Sequence, residues 1–573
     1  MFIFASLKIN VMQLSEQEII RREKLTKLRE LGINPYPANL YPVDHTSKQI
    51  KQSFEEGKKV VIAGRLMSNR DQGKACFAEI QDSEGRIQAY FNRDVICEGE
   101  DKTLYNTVFR KLVDLGDFIG VEGELFTTQV GAQCIRVSNF TVLSKTLRPL
   151  PMPKSDDEGK VFDGFNDPEL RYRMRYVDLV VNPQVKDVFV KRTKLFTAMR
   201  TFFNNAGYME VETPILQSIP GGAAARPFIT HHNSLDIPLY MRIANELYLK
   251  RLIVGGFDGV YEFSKNFRNE GMDRTHNPEF TAMEIYVAYK DYNWMMEFTE
   301  NLLEYCALQV NGTTEATFGE HKVDFKAPYA RVTMTDAIKQ FTGFDITGKT
   351  EKELYDFAKS IGIEVNETMG KGKLIDEIFG EKCEGNFIQP TFITDYPKDM
   401  SPLTKEHRDN PELTERFELM VCGKEIANAY SELNDPIDQR ERFEAQMALS
   451  ERGDDEAMFI DQDFLRALEY GMPPTSGLGI GMDRLIMFLT NNPSIQEVLF
   501  FPQMRPEVKP LAISDEAKAI VELLKAENNQ ALPILKEKSG LSGKKWDASM
   551  KELAKAGLTK VVVEGESKTV VLA

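Results

Sequence analysis

Long apolar runs are absent from this sequence: none reaches the roughly 18 residues that a membrane-spanning helix needs. The opening segment, MFIFASLKINVM, lacks a basic n-region, an extended h-region and a small-residue cleavage site. It reads as an extension rather than a secretory leader, with Met12 as a second candidate start. Cysteine is sparse and unpatterned. Six cysteines stand at 76, 97, 134, 306, 383 and 422 without a Cys-x-x-Cys spacing, which favours reduced thiols in a cytoplasmic protein over a disulfide framework or zinc site. His231-His232 has no further ligand at metal spacing and reads as structural. Neither a Walker A sequence nor a Gly-x-Gly-x-x-Gly fingerprint occurs, which excludes the P-loop and dinucleotide-binding modes. Positive charge is outnumbered: the formal net charge is −16, which argues against a general nucleic-acid coat and leaves only local basic faces for a phosphate backbone.

What is present is the composition of a globular protein, 42% hydrophobic and 28% charged, and 573 residues imply about three domains. Residues 15 to 31 carry Ile19, Ile20, Leu25, Leu28 and Leu31 at helical spacing, with Ser15 as N-cap and Gly32 as the stop. The basic face of this helix (Arg21, Arg22, Lys24, Lys27, Arg29) has two readings of equal weight, an RNA track or a solvated surface. From Val60 to Val142, short alternating strands separated by Gly-containing turns suggest a small five-stranded barrel. Residues 145 to 168, with Pro149, Pro151, Pro153 and the acidic run from Ser155 to Glu158, read as a linker, and a long amphipathic helix follows over roughly Pro183 to Asn205.

Chemistry concentrates in three stretches. Residues 260 to 290 read as a β-hairpin with arms Tyr261 to Glu270 and Glu279 to Tyr289. Alternation puts Arg268 with Glu270 on one face and Glu284 with Tyr286 on one face, with Phe267, Ile285 and Val287 turned to a core. Residues 415 to 435 set Asn428, Tyr430 and Glu432 on one strand face, with Glu418 and Glu425 before them; so many carboxylates in apolar strands need cations, either Mg²⁺ or an ammonium group. Residues 477 to 484, GLGIGMDR, bring a glycine-rich strand into a helix that carries Arg484, which suits a clamp on a phosphate and an adenine face.

Phe267-Arg268-Asn269-Glu270-Gly271, with Arg274-Thr275-His276-Asn277-Pro278-Glu279-Phe280 after it, resembles motif 2 of the class II aminoacyl-tRNA synthetases, closest to the lysine-specific branch of the aspartate-like subgroup. Gly207 to Pro214 after the long helix resembles motif 1, and Gly477 to Arg484 resembles motif 3. The HIGH and KMSKS signatures of class I are absent. The resemblance spans residues 15 to about 506. It implies an α+β multidomain fold: an N-terminal OB-fold β-barrel, a class II antiparallel-sheet catalytic domain flanked by helices, and a small C-terminal winged-helix-like appendage. The expected boundaries are 1–54 for the extension and helix, 55–145 for the anticodon-binding barrel, 146–168 for the linker, 169–507 for the catalytic domain with a helical insertion at about 310–385, and 508–573 for the appendage. In the appendage, Lys544, Lys545, Lys551 and Lys555 leave open RNA contact or a packing role.

The resemblance also assigns roles. The backbone of Gly222 and the carboxylate of Glu246 would take the α-amino group of lysine, while Glu284, Tyr286, Tyr430 and Glu432 line its side-chain pocket. Arg268 would bridge the lysine carboxylate and the α-phosphate, with Asn428 on the same carboxylate. Glu270, His276 and Asn277 would contact ATP, Phe280 would stack on adenine, and Arg484 would bind the γ-phosphate. Arg268 and Arg484 are the catalytic pair; Glu418 and Glu425 would hold Mg²⁺, with about three ions expected alongside ATP. In the barrel, Phe77 would be a stacking platform and Arg70 and Gln88 base-edge contacts, although a strand Phe of this kind is as often core. One departure stands out: Gly131-Ala132-Gln133-Cys134 replaces the family's usual Gly-Glu-Leu-Ser, so an anticodon-facing carboxylate is missing or comes from elsewhere, and Glu124 is no obvious substitute.

Pocket chemistry points independently to lysine. An anionic, hydrogen-bond-accepting pocket suits an extended chain ending in an ammonium, repels aspartate, leaves carboxylates unpaired around asparagine and mismatches the planar head of arginine. The expected activity is a two-step lysine–tRNA ligation, through lysyl-adenylate and pyrophosphate, by a homodimer that uses lysine tRNA, L-lysine and ATP and has neither a membrane nor a DNA partner. Three alternatives are weighed against it. A paralogue that lysylates proteins resembles the catalytic domain without the barrel; an aspartyl or asparaginyl relative is disfavoured by Glu284 and Glu432; a non-catalytic scaffold would be expected to have lost motif residues that are all present.

Overall fold

The computed structural model describes residues 14–152, 154–155, 161–162, 164–223, 225–366, 369–450, 460–506, 513–564 and 567–572. Met12 and most of the Ser155 to Glu158 run lie outside the described residues. The chain forms two compact units, Met1–Gln503 and Met504–Ala573.

In the first unit, Ser15 caps helix α1 (Glu16–Glu30) and Glu18 closes a capping box. The basic face of α1 is divided: Lys27 and Arg29 are exposed, as the solvated reading has it, whereas Arg21 and Lys24 turn to the barrel. Arg21 is buried and donates to Thr146 Oγ1 and to the Leu115 carbonyl, and Lys24 pairs with Asp114 at 2.5 Å, so this face fastens the helix to the barrel. The fully buried Lys145 completes the cluster, 2.5 Å from Asp114 and 2.8 Å from Asp117.

The barrel is closed in the order β1-β2-β3-β5-β4, from β1 (Lys59–Asp71), β2 (Ala75–Gln81), β3 (Arg86–Asn92), β4 (Phe118–Thr127) and β5 (Gln133–Ser144). Alternation sends Ile62, Ala78, Ile80, Ile87 and Phe91 inward. Residues Leu104–Leu112 form a π-helical segment that the sequence reading did not anticipate; its Phe109 stacks on Phe91 with centroids 4.0 Å apart. Across the outer face the register aligns Arg70 with Phe77, Phe77 with Tyr90, Tyr90 with Arg136, and Arg136 with Glu124.

The larger part of the first unit is built on one eight-stranded sheet. Helix α2 (Pro183–Asn205) matches its expected bounds and leads through Gly207 to the short strand β6 (Met209–Glu210). Helix α3 (Glu246–Val254), the hairpin β7 (Gly259–Phe267) and β8 (Glu279–Ala288), and helix α4 (Tyr292–Asn311) follow. The remaining strands are β9 (Ala330–Thr333), β10 (Thr391–Thr394), β11 (Arg416–Val421), β12 (Lys424–Ser431) and β13 (Thr475–Gly481), the last running into α5 (Met482–Leu489). The sheet order is β9-β10-β11-β12-β13-β8-β7-β6, with only the outermost pair at each edge parallel. One sheet face buries Met283, Ile285, Leu419, Ala427 and Leu478 against α2, α4 and α5, which leaves the other face for chemistry.

The segment expected to be helical from about 310 to 385 is partly β. It opens with a hairpin, Glu315–Phe318 with His321–Asp324, and then contributes β9 to the sheet. These strands are four residues long, too brief for their alternation to stand out. Helices Met334–Thr342, Glu351–Ser360 and Lys371–Lys382 follow and close their own core around Leu354, Ile375 and Ile378.

The second unit runs helix Asp515–Ala526, strand Gln530–Ala531, helices Leu532–Ser539 and Gly543–Lys555, then a hairpin of Thr559–Glu564 with Ser567–Leu572. Leu524, Leu535, Trp546, Leu553 and Val570 form its core. Lys545 pairs with Glu516 at 2.8 Å. Among the described residues no helix is long and apolar enough to cross a membrane, and all six cysteines are free.

Candidate active site

A cavity of about 590 Å³ opens on the polar face of the large sheet. It is lined by every residue that the sequence assigned to lysine, ATP or metal, and those residues fall into three interacting groups.

The first group is a buried nest of carboxylates and phenols. Glu246 begins α3, and its Oε2 accepts a 2.7 Å hydrogen bond from the Tyr430 hydroxyl of β12. Glu284 and Tyr286 are two residues apart on β8, and the Tyr286 hydroxyl donates to Glu284 Oε2 at 3.0 Å. Glu432 follows the end of β12 and is 1% exposed. Burial, aided by the charge on Glu246, pushes the Glu284 carboxyl up to about 8 although the Tyr286 hydrogen bond opposes it. Burial likewise pushes Glu432 well above its ordinary value; Lys250 opposes this, and Glu246 and Glu284 add to it. Close backbone approach shapes the nest. A Cβ on Gly477 would lie 2.1 Å from Glu432 Oε1 and 2.5 Å from the Tyr286 ring, so only glycine fits there. Gly222 has φ +88 and would meet the Glu246 Cβ at 3.2 Å.

The second group surrounds Arg268. The strand β7 ends at Phe267, so Arg268 and Glu270 do not alternate on a strand face as expected; they stand on the loop beyond it. The backbone pairing still carries one step further, from the Arg268 N–H to the Pro278 carbonyl at 2.9 Å. The guanidinium lies 5.1 Å from the centroid of Phe280, and its buried Nε has no hydrogen-bond partner among the described residues. Phe267 is only half-buried, whereas Ile285 and Val287 do enter the core.

The third group is ionic. Arg484, in the first turn of α5, donates from Nη1 to the Glu425 carbonyl at 2.8 Å, and its Nη2 is 3.1 Å from His276 Nε2. The Asn277 amide is engaged by backbone, donating to the Glu279 carbonyl and accepting from the Gln503 N–H. Glu418 is pushed up to about 7, by burial first and then by Glu425, with Arg416 opposing. His231 contacts Asp236 at 3.0 Å, and among the described residues no group of three His, Cys, Asp or Glu side chains is set to hold a metal.

Several lining residues were missed from the sequence. Arg416 donates to Glu418 Oε1 at 2.6 Å and to Asn428 Oδ1 at 3.2 Å; its spacing of two from Glu418 along a strand was a usable signal. Asn266 is 2% exposed, and its Oδ1 has no partner among the described residues. Asp483 accepts from the Thr281 N–H at 2.8 Å and pairs with Arg192 of α2 at 2.7 Å, tying the resembled motifs together.

On the barrel, Arg70 and Phe77 are register partners, and Phe77 alternates outward between the buried Cys76 and Ala78, with its ring 4.9 Å from Tyr90. Gln88 stands opposite Glu79, two residues along the same strand pair. Glu124 pairs with Arg136 at 2.8 Å.

The family model described as tRNA synthetases class II (D, K and N) matches residues 167–505, and that described as OB-fold nucleic acid binding domain matches residues 60–143. The chain belongs to the class II tRNA synthetases of the D, K and N group. A protein named lysine–tRNA ligase from Christiangramia forsetii is 76% identical over 555 residues, 97% of this chain and 98% of the relative. Proteins of the same name from Porphyromonas gingivalis and Azobacteroides pseudotrichonymphae are 70% identical over 504 residues and 63% identical over 497 residues, covering 87% and 99% of those relatives. Within its group the chain falls among the lysine–tRNA ligases, as the three motifs implied.

Proposed function

We propose that this cavity activates L-lysine with ATP and then transfers the lysyl group to the terminal ribose of lysine tRNA. The observation that carries the reading is the convergence of Glu246, Glu284 and Glu432 in one cavity with Arg268. Buried carboxylates demand cations, and free lysine brings an ammonium at each end. In the first step an oxygen of the lysine carboxylate attacks the α-phosphorus, the new P–O bond forms as the bond to the β-phosphate oxygen breaks, and pyrophosphate leaves. Little proton transfer is needed, so the protein orients the reactants and balances charge. Arg268, whose Nε is buried without a partner among the described residues, meets the lysine carboxylate and α-phosphate, with Asn428 on the carboxylate. Glu270, His276 and Asn277 contact the nucleotide, Phe280 stacks on adenine, and Arg484 takes the γ-phosphate.

Glu418 and Glu425 fit a divalent cation: both line the cavity, and Glu425 raises the cost of ionising the buried Glu418. Mg²⁺ is commonly held by one or two carboxylates plus substrate phosphates, so a third protein carboxylate is not required. Bound there it would neutralise phosphate charge.

Phe77, Arg70 and Gln88 form the anticodon-reading face of the barrel. Met209, Ile215, Leu216, Ile229 and Leu235 are exposed apolar side chains near the motif 1 region and suit a homodimer contact, to be checked by light scattering in solution. A cytoplasmic location accords with the free thiols. The winged-helix-like order of the second unit suits an accessory role.

Amino-acid-dependent ATP–pyrophosphate exchange, run with each of the twenty amino acids, tests the reading. Exchange with lysine alone is expected; exchange with another amino acid, or none, sinks it.

A further inference from the structure

One buried cation beside the cavity has no part in the chemistry above. Lys250, one turn after Glu246 on α3, is 0% exposed and does not line the cavity. Its Nζ lies 2.5 Å from Glu246 Oε1 and also contacts Glu432, so a single ammonium joins two carboxylates that come from α3 and from the end of β12. Aromatic rings close the box, with the Tyr430 centroid 5.6 Å and the Phe464 centroid 5.9 Å from Nζ. Tyr430 also holds the other oxygen of Glu246, and the close approach of Gly477 confines Glu432 on its far side.

We propose that Lys250 is a positioning residue for lysine specificity: pinned between Glu246 and Glu432, it cancels one of three carboxylate charges so that the pocket's remaining deficit equals the two ammonium groups of free lysine. This rests on the reading of the cavity as the lysine site. The count is simple. Glu246, Glu284 and Glu432 carry three negative charges when ionised, Lys250 supplies one positive charge from behind the wall, and lysine supplies two from within. A pocket without Lys250 would be left one charge short even with lysine bound, and buried carboxylates answer such a shortfall by keeping a proton. Each carboxyl that stays protonated loses its ion pair with the substrate. Burial alone would lower the Lys250 pKa, but Glu246 and Glu432 outweigh it and hold the ammonium protonated above its usual value. A neutral amino acid cannot balance the same deficit, so the fixed charge discriminates without touching the ligand.

The rival view is that Lys250 only fills space. Removing one partner of a buried ion pair leaves Glu246 and Glu432 uncompensated and lowers stability on either view, so Lys250→Met separates the two views by its KM for lysine against that for ATP and not by its melting temperature. The Met variant is expected to melt at a lower temperature yet keep its KM for ATP within about twofold, while its KM for lysine in pyrophosphate exchange rises at least about tenfold. Lys250→Ala provides the second arm, because propylammonium replaces the atoms removed whereas 1-propanol replaces only their volume. Rescue of lysine KM by propylammonium and not by 1-propanol is the expected result. An unchanged lysine KM in Lys250→Met, or equal rescue by both additives, overturns the proposal. If the unsubstituted protein itself shows no lysine-dependent exchange, the reading of the cavity fails instead, and the two failures are thereby distinguished.

Discussion

The Tyr430 hydroxyl donates to Glu246 Oε2 across 2.7 Å, joining residues 184 positions apart and fixing the carboxylate that begins α3 against the middle of the sheet. A hydrogen bond to a charged group is worth about 1.5 to 3 kcal/mol. Tyr430→Phe is therefore expected to raise the KM for lysine roughly tenfold or more while leaving the KM for ATP nearly unchanged, as measured by pyrophosphate exchange.

The Glu284 carboxyl gives the pocket a pH dependence. Its ordinary value is 4.5 and burial pushes it up to about 8, so at pH 7 it is largely protonated until a cation reaches it. An incoming ammonium favours the ionised form, so lysine entry expels a proton below about pH 8. The KM for lysine should fall as pH rises from 6 to 8, and calorimetry in buffers of different ionisation enthalpy should register proton release at pH 7. Folding has the matching dependence: the unfolded chain ionises Glu284 freely above 4.5 and the folded chain does not, so this residue subtracts stability as pH rises from 4.5 toward 8. Glu284→Gln should lower the proton release, with Glu432, also pushed well above its ordinary value, left to supply the remainder.

Gly477→Ala places a methyl group 2.1 Å from Glu432 Oε1. The added carbon must displace Glu432 or Tyr286, and both belong to the lysine pocket. Lysine activation should fall by about 100-fold or more, with thermal unfolding lowered only modestly because the strand keeps its register. Loss of ATP binding to the same degree would contradict the assignment.

Arg268→Ala is expected to remove about 100- to 1,000-fold of the exchange rate, since its charge faces the reacting phosphate, while tRNA binding through the barrel persists. Persistent exchange would refute the role given to Arg268.

Phe77→Ala separates the two functional surfaces. Base stacking on an aromatic ring contributes about 1 to 3 kcal/mol, so tRNA charging should weaken by roughly 10- to 100-fold while lysine-dependent exchange stays intact. Gel-shift affinity for lysine tRNA and exchange activity, measured on the same preparation, check it.

The sequence made most of this legible where local pattern and position coincide. Alternation marked the barrel strands because each has one wet face and one buried face, and α2 was readable because Pro183 opens it and Gly207 follows it closely. The strand carboxylates of the cavity were readable because acids in apolar strands are costly without a purpose, whereas Glu246, at the start of a helix, was marked only by the family resemblance. Nothing local marked Lys250. A lysine four residues after a glutamate on a helix reads as a routine surface pair, and only contact with Glu432, distant in sequence, reveals its burial. The loop position of Arg268 was hidden for a related reason: alternation continues by eye past Phe267, whereas the strand pairing with β8 ends there. The same holds for α1, whose arginine and lysine looked solvent-facing until Thr146 and Asp114 were brought to them by the fold.

The fastening of α1 limits how the barrel can be moved between proteins. The alternating strands suggest a cassette from residue 60 to 142, but such a graft would leave behind Lys145, Lys24 and Arg21, and with them the Tyr41 ring that lies so close to Gly120 that a methyl group there would sit 2.2 Å from it. Asp117, fully shielded from water, would arrive in its new host without its ion-pair partner Lys145. The smallest portable form of this barrel begins at Ser15 and runs past Thr146; cut any shorter, it carries an unbalanced buried charge at its base.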